Sequence, residues 1–157
     1  MDSAKFRQLM GRFATGVVVI TAVDPQGNPA GMTANSLASV SLKPPLLSVS
    51  VDHVADMHRT LGTVERFVIN ILAADQEELS RRFAAEPWNR FDGIGFQRTP
   101  AGLVILDGVL AHIECEKFAA HAAGDHTIYL GRVVGGASWD REPLLYYRGG
   151  YANLARA

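Results

Sequence analysis

Six side chains could in principle share a metal ion: His53, His58, His112, Cys115, His121 and His126. Their spacing argues against it. His112 and Cys115 lie three apart in a stretch that alternates like a strand, so they face opposite sides and cannot ligate one ion. Glu114 and Glu116 share a face with His112, but a row of carboxylates on a wet strand face is normally solvated. No metal is expected. Nucleophilic catalysis is equally unsupported. Cys115 falls on the apolar side of its strand, where a thiol packs as an inert group, and no Gly-x-Ser-x-Gly elbow is present to activate a serine. A Walker-type phosphate loop and a Gly-x-Gly-x-x-Gly after a strand are both missing, so a Rossmann domain is not expected.

The stretch Gly31-Met32-Thr33-Ala34-Asn35-Ser36-Leu37-Ala38-Ser39-Val40-Ser41-Leu42 concentrates small and hydroxylated residues in a segment that otherwise reads as β. As one strand it would place Thr33 and Asn35 on one side, Ala34 and Ser36 on the other. Short side chains leave backbone groups within reach of a flat, polar-edged ligand. The same composition also describes a Ser/Thr-rich edge strand with a solvated face.

Phe6, Leu9, Met10 and Phe13 follow helical spacing behind Ser3, a possible cap, which predicts an amphipathic helix over residues 3–13 lying on the body of the domain. The β-branched run from Val17 to Val23 predicts a strand buried on both faces, and Asp24 to Asn28 a turn into the hydroxylated stretch. Lys43-Pro44-Pro45 ends that second strand, and Leu46 to Val51 forms a third. Helices are expected over 55–61 and over 75–85, the latter from a capping box of Asp75 and Glu78. Between them Phe67 to Leu72 is a strand. Residues 86–102 hold too many breakers for a long element. Ala111, Ile113 and Cys115 alternate with His112, Glu114 and Glu116 in a half-buried strand. Gly124-Asp125 turns into a strand from His126 to Val134 with Ile128 and Leu130 on its apolar face, and Leu144 to Tyr147 is a last short strand. This pattern predicts a mainly β antiparallel barrel of six or seven strands with a few flanking helices, in one domain over residues 1–157.

Composition narrows the partners. The chain has 157 residues, 48% hydrophobic and 20% charged, with a net charge of −1. With no run of Lys or Arg, a nucleic-acid partner is not expected. The longest apolar stretch, residues 14–23, is too short to span a membrane. A lone cysteine and an N-terminus without a secretory pattern fit a cytoplasmic protein.

Several segments carry a family resemblance. Phe13-Ala14-Thr15-Gly16-Val17, Thr33-Ala34-Asn35-Ser36, Ser39-Val40-Ser41, Pro44-Pro45-Leu46, Phe67-Val68-Ile69-Asn70-Ile71-Leu72, Arg90-Phe91, Gly124-Asp125-His126 and Pro143-Leu144-Leu145-Tyr146-Tyr147 occur in the order seen in the short-chain flavin reductases. The chain resembles the reductase component of two-component flavin-dependent monooxygenases. The resemblance implies a Greek-key split barrel and a homodimer. It implies that NADH or NADPH passes a hydride from nicotinamide C4 to N5 of FMN or FAD, and that reduced flavin leaves for a separate monooxygenase. Thr33, Ala34, Asn35 and Ser36, with Ser39, would contact the flavin, and Ser50, Val51 and Asp52 would line the same groove. His126, beside Asp125, would orient the nicotinamide, and Tyr147 would border the site. A histidine at the start of a strand can also serve only to hydrogen-bond a turn, with Asp125 as its cap.

The resemblance fails at one place. A Ser-Ser-basic-Thr pattern that grips the flavin phosphate is replaced by His53-Val54-Ala55-Asp56-Met57-His58-Arg59-Thr60. Asp56 would repel a phosphate, which leaves His58, Arg59 or the helix N-terminus near Ala55 to hold it. Arg90 and Phe91, with Trp88, are further candidates for the groove or are ordinary loop anchors. A binding module that holds flavin or haem without turnover, and an enzyme whose flavin stays bound, are the competing readings.

Overall fold

The computed structural model describes residues 1–85 and 89–155. Helix α1 (Ser3–Met10) is capped by Asp2, whose carboxylate accepts the Lys5 N–H. The cap is therefore one residue earlier than Ser3. The helix stops at Gly11 and buries none of its residues, so Phe6, Leu9, Met10 and Phe13 are exposed rather than laid on the domain.

Strands β1 (Thr15–Gly16), β2 (Val18–Val23), β3 (Pro29–Ala34), β4 (Ala38–Leu42) and β5 (Pro45–Asp52) follow. Then come α2 (Asp56–Thr63), β6 (Arg66–Ile71), α3 (Glu77–Ala84), the hairpin β7 (Phe96–Arg98) and β8 (Val104–Leu106), the long hairpin β9 (Ala111–Ala123) and β10 (His126–Ser138), and β11 (Leu145–Tyr147) and β12 (Gly150–Ala152). The 86–102 segment thus contains a short strand that its breakers conceal. Trp88 lies outside the described residues.

Seven strands form one antiparallel sheet in the order β3-β2-β6-β9-β10-β5-β4. Its two edges, β3 and β4, are consecutive in the chain, so Asn35, Ser36 and Leu37 step directly from one edge to the other. The hydroxylated stretch is therefore two strands on opposite sides of a seam, and its alternation does not run through Asn35. The sheet curls around Val18 and Ile20 of β2, Val49 and Val51 of β5, Phe67 and Ile69 of β6, Cys115 of β9 and Tyr129 of β10, and α2 adds Met57 and Leu61. This interior confirms the mainly β antiparallel barrel.

A second core lies on the outer face of β2. Val17 and Val19 meet Phe83 of α3, Val104 and Leu106 of β8, Leu72 and Leu144. Asn70, fully buried, ties these layers together: its amide donates to Val19 O (3.1 Å) and Thr21 Oγ1 (2.9 Å), and its oxygen accepts the Leu106 N–H (2.9 Å).

Two expectations change. In β10 the inward residues are Thr127, Tyr129 and Gly131, with Ile128 and Leu130 only half-buried, so the apolar face is not the inner one. The interior accepts Tyr129 because its hydroxyl donates to His58 O. Asp75 caps nothing; α3 starts two residues later, and the Asp75 carboxylate pairs with Arg141 at 2.8 Å.

Candidate active site

The seam is closed by one side chain. Ser36 Oγ donates to Ser50 O and accepts the Ser50 N–H, both at 3.0 Å. It thereby extends the β4–β5 ladder beyond its last registered pair, Ala38 with Ser48. Thr33 is not available to a ligand through its hydroxyl, which donates to Ser80 O at 2.6 Å. Ala34 is half-buried against the barrel interior, whereas Asn35 and Ser39 are exposed.

Asn35, Ser36 and Leu37 form one wall of a cavity of about 530 Å³, whose other walls are Phe13, Thr15, Tyr146 and Tyr147, with α1 along its rim. Thr15 pairs in register with Tyr146. Its buried hydroxyl has no hydrogen-bond partner among the described residues. A planar ligand with polar edges fits a cavity with aromatic walls and unmet polar groups.

The second part of the site is the corner where β5 ends and β10 begins. Gly124, at φ +64°, allows the tight turn, and the register sets His126 opposite Asp52. His126 Nδ1 lies 2.7 Å from Asp125 Oδ1. An ionised carboxylate only accepts, so Nδ1 carries a proton and donates it to Asp125, which leaves Nε2 as the ring nitrogen not engaged by Asp125. The hydrogen bond and charge of His126 hold the Asp125 carboxyl below its ordinary range.

Behind this corner, His53 Nε2 and His58 Nε2 both lie 3.1 Å from Thr127 Oγ1, with ring centroids 4.8 Å apart. One hydroxyl proton cannot serve two acceptors, so at least one of the two imidazoles donates to Thr127 Oγ1. The His53 N–H also donates to Asp125 O (3.0 Å), and the Val54 N–H to Asp52 Oδ1 (3.0 Å). The corner is thus fixed by main chain and side chains together.

Several expected site residues are engaged elsewhere. His58 is bound to Thr127, and Arg59 pairs with Asp56 at 2.7 Å, so neither presents a spare cation; Asp56 is also compensated. Val51 points into the barrel core and offers only its main chain. Arg90 donates to Gly31 O (2.6 Å) and to Ala85 O. Phe91 stacks edge-on against Phe83 and Phe96 in the second core. Arg90 and Phe91 are loop anchors. Tyr147 does border the cavity, with the Arg148 guanidinium 5.2 Å from its ring.

Cys115 is fully buried, and burial pushes its thiol up to about 12. It is no nucleophile. His112 lies on the outer side of the barrel beside Trp139, away from Cys115. Among the described residues no three metal-ligating side chains converge. None of the described helices is long and apolar enough to cross a membrane. The sequence offers His53 only as a metal ligand to be excluded and Tyr146 only as part of the last strand, and it gives Thr127 no role. A histidine five residues before His58 carried a weak signal, but their shared partner Thr127 is 69 residues from His58.

A single mainly β barrel with a seam cavity and an Asp-His corner defines a class of small-molecule-binding domain. The match to the flavin reductase like domain covers residues 10–155, and the chain belongs to that family. It is 41% identical to the FMN reductase (NADH) SmoA of Agrobacterium fabrum, over 99% of this chain and 88% of that protein. It is 37% identical to the reductase subunit HsaB of a flavin-dependent monooxygenase of Rhodococcus jostii, over 98% of this chain and 79% of that protein. Among solved structures it superposes on the NADH:FAD oxidoreductase SgcE6 of Streptomyces globisporus with a TM-score of 0.93 at 37% identity, covering 98% of this chain and 93% of that one.

Proposed function

We propose that this protein is an NADH-dependent flavin reductase that supplies reduced flavin to a separate flavin-dependent monooxygenase. The observation that carries the proposal is the near full-length likeness to NADH flavin reductases and monooxygenase reductase subunits. The open seam cavity and the ordered Asp125–His126 corner support it.

A bound flavin would supply N5 as the acceptor for a hydride from nicotinamide C4. The chain's own groups bind and orient. Asn35, with a donor and an acceptor in one exposed side chain, meets the polar edge of the isoalloxazine. The Thr15 hydroxyl, which has no partner among the described residues, would gain one, and Tyr147 would flank the ring. Ser50, whose N–H and C=O are both engaged by Ser36, and Asp52, whose C=O accepts the Ala55 N–H, shape the groove rather than hydrogen-bond a ligand through their main chain. Of the three phosphate holders that the sequence suggests, only the N-terminus of α2, where Ala55 provides no side-chain cap, is not already engaged by a side-chain partner. His126 Nε2 accepts an N–H from the nicotinamide carboxamide. Its contribution is positioning, because hydride transfer depends on close ring stacking.

A homodimer accounts for the uncovered apolar residues of α1 and for Val40 and Leu42 on edge strand β4. A reducing, cytoplasmic setting suits the single buried thiol.

The test is NADH and NADPH oxidation by purified protein with riboflavin, FMN or FAD at low oxygen. NADH turnover with at least one flavin is expected, and no rate above background with any of them refutes the proposal. His126→Ala should raise the apparent KM for NADH about tenfold while changing that for flavin little. Equal effects on both would assign His126 to the fold alone.

A further inference from the structure

Among the described residues most guanidinium groups have partners. Arg59, Arg66, Arg81, Arg132 and Arg141 pair with carboxylates. Arg82, Arg90 and Arg98 donate to main-chain carbonyls. Arg7, Arg12 and Arg148 differ: no hydrogen bond or ion pair to another described residue engages their guanidinium groups, Arg148 making only its contact with the Tyr147 ring.

These three side chains line one cavity of about 390 Å³ that contains no acidic residue. Arg7 and Arg148 also line the seam cavity, as do Gly11 and Gly149, so the two spaces are contiguous. The charge is local. The first thirteen residues carry Lys5, Arg7 and Arg12 against Asp2 alone, in a chain whose net charge is −1. The Asp2 carboxylate is directed at the helix cap.

The backbone holds this arrangement at a cost. Arg148 sits at φ +52°, in the left-handed region, although glycine stands next to it. The Arg148 N–H donates to Gly11 O at 2.9 Å, and a Cβ on Gly11 would lie 3.1 Å from Arg7 O and 3.5 Å from the Arg148 Cα. The end of α1 and the β11–β12 turn are thus fastened together beside the cavity that the three arginines line. Convergent, unpaired guanidinium groups recognise phosphate well, since each can donate two parallel hydrogen bonds.

We infer that Arg7, Arg12 and Arg148 form an anion site for the phosphate tail of a nucleotide lodged in the seam cavity. The inference rests on the reductase reading for the identity of the nucleotide, which is either the flavin or the nicotinamide dinucleotide. The site itself requires only a phosphate.

Equilibrium binding tests it, by calorimetry for inorganic pyrophosphate and NADH and by fluorescence quenching for riboflavin, FMN and FAD. Wild type is compared with Arg7→Gln/Arg12→Gln and with Arg7→Lys/Arg12→Lys. Both side chains are exposed, Arg7 on α1, which buries no residue, and Arg12 just beyond its end, and an unchanged melting temperature verifies the fold. The glutamine pair is expected to weaken pyrophosphate at least tenfold at low salt, with the loss shrinking as salt screens the site. The lysine pair should restore most of the binding. A parallel loss for FMN and FAD, with riboflavin unaffected, assigns the site to the flavin tail. A loss for NADH alone assigns it to the hydride donor. Equal affinities of wild type and the glutamine pair for every phosphate-bearing probe overturn the inference, as does an equal loss for riboflavin. Pyrophosphate binding can be measured on a chain that reduces no flavin, so failure of the reductase reading is distinguishable from failure of this one.

Discussion

Replacing Ser36 by alanine removes the rung that bridges the seam. The Ser36 hydroxyl makes two hydrogen bonds to Ser50, one as donor and one as acceptor. Each contributes about 0.5–1.5 kcal/mol net, and the loss leaves a half-buried N–H and C=O on Ser50 that water reaches only in part. The expected loss in unfolding free energy is therefore about 1–3 kcal/mol. The same change should release the Ser50 amide to hydrogen exchange by about 5- to 100-fold, since about 1.4 kcal/mol corresponds to a factor of ten. Urea denaturation measures the first quantity and exchange at the single Ser50 amide the second. The β5–β10 amides, paired on the far side of the strand, should change less and serve as the internal reference. Riboflavin affinity should fall several-fold, because Ser36 lines the seam cavity. A stability loss under about 0.3 kcal/mol with unaltered Ser50 protection would show that the seam is held by something other than this side chain.

Asn70→Ala strips three buried hydrogen bonds linking β2, β6 and β8. It should cost about 3–5 kcal/mol by urea denaturation, whereas a cost below about 1 kcal/mol would mean that the outer core repairs itself. Cys115 gives a signed pH dependence. Its thiol is raised by burial from 9.0 to about 12, so the folded chain keeps a proton that the unfolded chain releases. Stability is unaffected by this group below about pH 9 and falls by up to about 1.4 kcal/mol per unit between about 9 and 12. Cys115→Ala should remove that slope, and native Cys115 should resist thiol reagents at pH 8 until the chain unfolds.

The barrel was legible because its strands state their burial locally: the β-branched run of β2 and the apolar β6 need no context. The seam was not legible. Thr33 to Ser41 looks like one strand because Asn35 to Leu37 hold no glycine, proline or charge to mark a break, and Asn35 alone is a weak signal; only the pairing of β3 with β2 and of β4 with β5 separates them. The phase of β10 failed for a related reason. Thr127 and Tyr129 look like solvent-facing residues, yet His53, His58 and the His58 carbonyl satisfy their hydroxyls inside the barrel. At the site, Asp125 and His126 were readable as a turn followed by a strand start. The pairing of Arg59 with Asp56 is an i, i+3 contact that helix spacing allows, but the sequence alone does not choose between it and a ligand contact. The arginines at positions 7, 12 and 148 gave no signal, being separated along the chain and joined only by the approach of Gly11 to Arg148.

The two halves of the site lie at very different distances along the chain. Ser36 and Ser50 are 14 residues apart, whereas His53 and Thr127 are 74 apart. Closing the longer loop costs about 1.5 kcal/mol more in chain entropy. The wall of the cavity can therefore assemble within a local β4–β5 meander, while the corner must wait until the long β9–β10 hairpin docks against β5. During synthesis Ser50 emerges about 75 residues ahead of Thr127, and Tyr146 and Tyr147, the aromatic wall of the cavity, follow later still, so a truncated chain can close the Ser36–Ser50 rung while it holds neither a finished cavity nor the histidine corner.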